Sequence, residues 1–145
     1  MLKLHFSIEI KAPSEKVWDI LWNDDTYRKW TGVFNETSHA VTDWKEGSKV
    51  LFLTEEKDGM YSIIERNIQY KLMSFRHLGS VKKGIELPSD EESQKWYGTT
   101  ENYELTETGE TTVLKVDIDA PGEYKDFFEK KFPEALGIVK ELSEV

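Results

Sequence analysis

Histidine is the residue type best suited to metal binding or proton transfer in this chain of 145 residues, and it occurs 3 times. His5, His39 and His77 fall on three different predicted strands, and no HExxH pattern or similar cluster places a second ligand beside any of them. The sequence has no GxSxG motif and no cysteine, so a thiol nucleophile, Cys-ligated zinc and disulfides are excluded. We therefore predict no metal ion, no cofactor and no catalytic residue.

Charged residues within two apolar strands are the remaining candidates for acid or base chemistry. Glu65, Arg66 and Arg76 interrupt segments that are otherwise rich in apolar residues. An enzyme would need at least one ionisable group buried in a cavity, whereas the alternative is that these residues face solvent or pair with each other. His77 lies two positions after Phe75 on the same strand, so both side chains are on the same side of the sheet. His77 would therefore face a cavity if that side of the sheet is concave.

Aromatic side chains supply much of the apolar surface, with 7 Phe, 6 Tyr and 5 Trp. Most of these rings are expected in a core, but rigid rings leave gaps between a curved sheet and a helix, and such a gap is an apolar pocket. An indole N–H, a phenol or a guanidinium would orient a ligand there. The residues predicted to line this pocket are Trp18, Trp30, Phe34, Phe52, Tyr61, Phe75, Arg76, His77, Trp96, Phe128 and Phe132.

The elements that must position these side chains begin with a strand over residues 2–10, where apolar and polar residues alternate. Ser14 is predicted to cap a first helix, and a short second helix follows and ends at Gly32. From residue 37 the pattern changes to alternating segments separated by turns that contain glycine, which indicates successive antiparallel strands.

The last third of the chain contains an acidic segment and an apolar stripe. Residues 88–93 are predicted to form a solvated loop because they are small, acidic and polar. Residues 122–145 carry aromatic and aliphatic side chains three and four positions apart, which predicts a long helix. Pro133 is expected to kink or restart that helix near Phe132.

Length and charge limit the possible partners. A chain of 145 residues fits one domain, 1–145, with one core. The formal net charge of -9 repels phosphates, so nucleic acid is not expected as a partner. The N-terminal segment alternates and has neither the apolar core of a signal peptide nor a membrane span, which favours a soluble, cytoplasmic protein.

Five segments together resemble a known superfamily. They read IKAPSEKVWDIL, YRKWTG, WKEGSKVLF, WYGTTENYELTE and FPEALGIVKELSE, in chain order. In this order the chain resembles the START-like, Bet v 1-like (SRPBCC) superfamily, and within it the bacterial branch related to the C-terminal domain of the activator of Hsp90 ATPase. The resemblance implies an α+β helix-grip fold, in which a curved antiparallel sheet of about six or seven strands wraps a long C-terminal helix.

The same resemblance implies three possible functions. The first is non-catalytic binding of a small apolar or amphipathic molecule in a cavity between the sheet and the last helix. The second is a protein-interaction module that acts like a co-chaperone, and the third is an enzyme of the cyclase or hydrolase type that uses the same cavity. We expect a monomer or a weak dimer.

Trp96 and Tyr97 are neighbours at the point where the chain leaves the acidic segment. If the following strand has already begun, their side chains point in opposite directions, because successive residues of a strand alternate between its faces. We expect Trp96 to face the mouth of the cavity and Tyr97 to pack outside as a structural residue.

Overall fold

The backbone forms one antiparallel sheet of eight strands and four α-helices, in a computed structural model that covers residues 1–145. In chain order the elements are β1 (Leu2–Ile10), α1 (Ser14–Trp22), α2 (Asp24–Thr31), β2 (His39–Val41), β3 (Lys49–Leu53), β4 (Gly59–Ile68), β5 (Leu72–Lys82), β6 (Ile85–Leu87), α3 (Glu91–Trp96), β7 (Thr100–Thr108), β8 (Thr111–Ala120) and α4 (Lys125–Ser143). None of the helices combines the length and the apolar character needed to cross a membrane.

The strands are arranged in the order β1-β8-β7-β5-β4-β3-β2, and the short β6 pairs with β5. The curved sheet, the long C-terminal helix and the short helices after the first strand confirm the predicted α+β helix-grip fold. The count of eight strands exceeds the predicted six or seven because β6 was not recognised in the sequence.

The inner face of the sheet follows from alternation along the strands. Met73, Phe75 and His77 are buried at alternate positions of β5, while Tyr103 and Leu105 are the buried positions of β7. Because side chains alternate with a period of two, these residues all face the same side of the sheet. That side carries the main core, over which α1, α2 and α4 pack.

The C-terminal helix presents one apolar stripe to the sheet. Phe132, Ala135, Leu136 and Val139 are buried at spacings of three and four, and the helix packs against β1, α1 and α2. Of the predicted kink or restart near Phe132, the restart is wrong, since the helix runs without interruption from Lys125 to Ser143. The stripe continues on both sides of the proline, so packing holds the helix together across the missing hydrogen bond.

The acidic segment is more ordered than predicted, because residues 91–96 form a helix instead of a loop. The Asp90 side chain caps α3 by accepting a hydrogen bond from the Ser93 amide, with the oxygen 2.7 Å from the nitrogen. The Ser93 hydroxyl in turn accepts from the Ser80 amide of β5 at 2.8 Å. These polar contacts attach α3 to the sheet although the segment is short and acidic.

Asp119 joins three strands at one end of the sheet. Its carboxylate accepts from Lys3 Nζ on β1 at 2.9 Å and from the Thr100 amide on β7 at 3.0 Å. Partial burial by itself would raise the pKa of Asp119, but the hydrogen bonds from Lys3 and Thr100 outweigh it and lower that pKa. Because the pKa is lower in the folded than in the unfolded chain, the stabilisation is present above the ordinary pKa of 3.8 and is lost as the pH falls below it.

We expect Asp119→Asn to lower the free energy of unfolding by about 1 kcal/mol near neutral pH, which is the scale of a partly exposed charged hydrogen bond. The difference should shrink below pH about 4, where the wild-type carboxyl takes up its proton. Urea unfolding followed by circular dichroism at several pH values measures it. Asp117→Asn is the matched control, since Asp117 lies on the same strand and pairs with His5 in solvent. A difference that persists unchanged in acid would contradict this role of Asp119.

Candidate functional site

A cavity of about 310 Å³ lies between the inner face of the sheet and helices α2 and α4. Helix α3 closes one end of it. Eleven of its 18 lining residues are Phe, Trp or Tyr, and none is Lys or Arg. The lining residues are Trp22, Tyr27, Trp30, Thr31, Phe34, Ser38, Phe52, Met60, Phe75, His77, Trp96, Glu101, Tyr103, Ile118, Asp119, Phe127, Phe128 and Phe132.

Stacked and edge-on rings form the floor of the cavity. The centroid of Trp22 lies 5.1 Å from that of Tyr103 and 5.6 Å from that of Phe75, both in edge-on geometry. Trp30 packs edge-on against Tyr103 at 5.9 Å. Such contacts fix the ring orientations, so the walls of the cavity are rigid.

The cavity reaches the surface beside the start of α4. Phe34 lies 6.4 Å from Phe128 and 6.3 Å from Phe127, measured between ring centroids. Phe127 is 41% exposed, although large apolar side chains are usually buried. These rings therefore form the rim through which a ligand would enter.

One polar cluster interrupts the apolar wall. Ser62 Oγ lies 2.6 Å from His77 Nδ1, and His77 Nε2 lies 3.2 Å from Glu101 Oε1. The Tyr103 hydroxyl donates a hydrogen bond to Glu101 Oε2. Ser62, His77 and Tyr103 are buried, whereas the Glu101 side chain is 24% exposed. Glu101 is thus the most exposed member of the cluster, and His77 and Tyr103 border the cavity beside it.

The proton positions in this cluster follow from its contacts. A proton on His77 Nε2 avoids lone-pair repulsion with the carboxylate of Glu101, so Nδ1 accepts a hydrogen bond from the Ser62 hydroxyl. Both ring nitrogens then have partners. Burial, and secondly the charge of Glu101, raise the pKa of Tyr103 and of Tyr27 well above that of an ordinary phenol. Both phenols therefore keep their protons.

The carboxylate of Asp119 has a different role although this residue also borders the cavity. Asp119 alternates with the inward-facing Ile118 and Ala120, and its oxygens accept from Lys3 and Thr100. Its charge is therefore compensated on the outer side of the sheet, and Glu101 is the carboxylate that faces the cavity.

Similar solved structures share this architecture. They include the Aha1 dimer from Colwellia psychrerythraea, with 18% identity, coverage of 100% of this chain and 98% of that chain, and a TM-score of 0.72. This chain has the helix-grip fold of START-like, Bet v 1-like proteins. Protein MLL2253 from Mesorhizobium loti is 12% identical over 97% of this helix-grip chain and 96% of its own, with a TM-score of 0.75.

CalU16 from Micromonospora echinospora is 15% identical to this helix-grip chain and has a TM-score of 0.67. The match covers 97% of this chain and 65% of CalU16. A scan against protein-family models gives no match, and a search of curated protein sequences gives none either. Since all these identities are low, the likeness extends to the fold and leaves ligand and activity open.

The helix-grip fold brings eight of the predicted pocket residues together around the cavity. Phe52, Phe75 and His77 reach it from the sheet, and α4 contributes two more rings. Whether they bind a ligand stays a prediction. The eight are Trp30, Phe34, Phe52, Phe75, His77, Trp96, Phe128 and Phe132.

Three predicted residues lie away from the cavity. Trp18 is buried but packs against Trp22 and Tyr70, one turn of α1 away from the cavity. Tyr61 belongs to a separate small cluster with Leu53 and Val81, because it alternates along β4 with the inward-facing Met60 and Ser62 and so lies on the outer face of the sheet.

Arg76 is the third predicted residue outside the cavity. It lies on the outer face, with its Nε 3.7 Å from Glu65 Oε1, and both side chains are exposed. Arg76 and Glu65 therefore lie as the alternative prediction has it, paired with each other in solvent. Alternation along β5 requires this result once His77 faces inward.

Trp96 lies at the cavity and Tyr97 outside it, but for a different reason than expected, and Tyr97 does not pack as a structural residue. Trp96 is the last residue of α3 and borders the cavity, while Tyr97 is 69% exposed. The helix end, rather than alternation along a strand, separates the two rings, since β7 begins only at Thr100.

Sequence reasoning missed Glu101, Tyr103, Tyr27 and Trp22 as cavity residues. Glu101 alternates in phase with Tyr103 and Leu105, so the pattern of β7 already placed a carboxylate on the apolar side. The sequence therefore contained the information needed to predict Glu101 at the cavity. The proximity of Tyr27 required knowledge of how α2 packs over the sheet.

The contacts of Ser62, His77 and Glu101 follow the order serine, histidine, carboxylate, as in a hydrolase triad. Their geometry, however, does not allow Ser62 to act as a nucleophile. Ser62 is fully buried and does not border the cavity. A nucleophilic hydroxyl must reach the substrate. Ser62 therefore orients the imidazole of His77, and nucleophilic attack by Ser62 is excluded in this arrangement.

Proposed function

We propose that this protein binds a small apolar or amphipathic molecule in the cavity between the sheet and α4. The observation that carries the proposal is a cavity of about 310 Å³ with an aromatic wall and one reachable polar cluster. Small-molecule sites in proteins have this volume and this combination of apolar walls with few polar groups. Rigid rings hold the space open, so a ligand that fits displaces water from apolar surface.

A ring placed at the rim should block the cavity. Ser38 borders the cavity and lies in the loop between α2 and β2. We expect Ser38→Phe to weaken binding of a naphthalene-based probe by about tenfold or more, because the added ring competes for the same space. Glu36→Phe is the matched control, since Glu36 is exposed in the same loop. Isothermal titration calorimetry measures both affinities.

Two outcomes of that experiment would count against the proposal. Equal affinities of the wild type and Ser38→Phe for a probe that binds would show that the probe lies elsewhere. Equal losses in Ser38→Phe and Glu36→Phe would point to a disturbed loop instead of a blocked cavity. Near-ultraviolet circular dichroism of the two variants checks that the aromatic core is intact.

The other two functions stay predictions of the resemblance. For a cyclase or hydrolase, Glu101 is the group placed to accept or return a proton, since it borders the cavity. For a co-chaperone role, the net charge of -9 suits a basic partner surface, and a pull-down with the Hsp90-type chaperone of the host would test it. A weak dimer is testable in the same samples by analytical ultracentrifugation.

A further inference from the structure

The charge inside the cavity selects between ligand classes. No Lys or Arg borders the cavity, so the carboxylate of Glu101 has no lysine or arginine partner there. A carboxylate held in an apolar site is stabilised strongly by an approaching cation, since water screens the charge less than it does at the surface. The cavity is therefore electrostatically matched to positive charge.

Glu101 has hydrogen-bonding capacity left for a ligand. Its Oε2 accepts from the Tyr103 hydroxyl, while Oε1 has the 3.2 Å contact with His77 Nε2. Each carboxylate oxygen has two lone pairs, so both can accept from a further donor. An ammonium group carries up to three donors and is the natural partner for two such oxygens.

The aromatic walls favour the same class of ligand. Trp30, Phe75 and Tyr103 border the cavity around the polar cluster. The face of an aromatic ring carries partial negative charge and attracts ammonium groups, most strongly where water is excluded. The apolar part of a ligand would fill the space toward Phe34 and Phe128, beside the rim.

On this basis we infer that the cavity binds an amphipathic organic amine, with the ammonium group at Glu101 and the hydrophobic part against the rings of α4. This inference rests on the proposed function and narrows it, because it states the charge of the ligand. It is independent of the choice between simple binding and catalysis.

Three probes with one skeleton test the charge directly. Naphthylethylamine, naphthylethanol and naphthylacetate differ in carrying an ammonium, a hydroxyl or a carboxylate at the same distance from the ring. We expect the amine to bind at least about tenfold tighter than the alcohol and the carboxylate to bind weakest, which is the scale of a charged hydrogen bond. Isothermal titration calorimetry at fixed ionic strength gives the three affinities.

The Glu101→Gln variant should remove the preference for the amine, so that the amine and the alcohol bind with similar affinities. Glu104→Gln is the matched control, because it removes the same charge from the exposed face of the same strand. Should Glu101→Gln not fold, the ranking of the three probes on the wild-type protein still decides the inference.

The outcomes separate the inference from the proposed function. Tightest binding of the alcohol or the carboxylate would overturn the amine and leave ligand binding in place. An equal loss of amine preference in Glu104→Gln would also overturn it, because the effect would then come from the overall charge. Failure of all three probes to bind at millimolar concentration would overturn both the inference and the proposed function.

Discussion

Trp30→Ala should lower the free energy of unfolding by about 3 to 5 kcal/mol, a large part of the stability of a typical domain. Trp30 is 2% exposed, and its ring contacts Trp22, Tyr27 and Tyr103. Its indole N–H donates to the carbonyl of Leu21, with the nitrogen 3.0 Å from the oxygen. Leu21 lies in the last turn of α1, where carbonyls lack partners within the helix, so Trp30 joins α1 to α2.

Urea unfolding followed by fluorescence or circular dichroism measures this loss. Trp30→Phe keeps most of the apolar volume but removes the N–H, so we expect a smaller loss of about 1 to 2 kcal/mol. Tyr97→Ala is the control for an exposed aromatic residue and should change stability by less than about 0.5 kcal/mol. Equal losses in Trp30→Ala and Tyr97→Ala would contradict the placement of Trp30 at the centre of the core.

His77→Ala should cost about 2 to 3 kcal/mol, because it leaves the buried Ser62 hydroxyl and one side of the Glu101 carboxylate without a partner. The loss should be smaller by about 1 kcal/mol when Glu101→Gln is already present, since a neutral amide is less costly to leave unpaired. Urea unfolding of the wild type, both single variants and the double variant completes this cycle.

A matched cycle uses Glu104→Gln in place of Glu101→Gln. Glu104 is exposed on the other face of β7, so its cycle with His77→Ala should show no coupling. Strictly additive losses for His77→Ala and Glu101→Gln would show that the 3.2 Å contact carries no free energy. His77 and Glu101 would then be neighbours that do not stabilise each other.

Alternation along the strands made much of the fold predictable. A period of two in β1, β5 and β8 places apolar residues on one face, and it correctly put Phe75 and His77 on the same side. The same rule excludes Arg76 from the cavity and includes Glu101. Both corrections were within reach of the sequence, because they follow from position along a strand.

Other features depended on interactions that no local pattern contains. The pairing of β4 with β5 shifts register between Tyr61 and Ser62 and again between Ile64 and Arg66, and the sequence does not mark these shifts. Helix α3 is short and acidic, and it is held by the Asp90 cap and by contact of Ser93 with Ser80. The polar cluster formed by Ser62, His77, Glu101 and Tyr103 joins three strands, β4, β5 and β7.

The most direct test of ligand binding between the sheet and α4 is an isotope-filtered nuclear Overhauser experiment on labelled protein saturated with naphthylethylamine. We expect contacts from the naphthalene protons to Phe34 and Phe128, and from the methylene beside the nitrogen to Tyr103. Contacts confined to exposed residues such as Ile85 or Tyr97, or no contacts to the cavity residues, would contradict it.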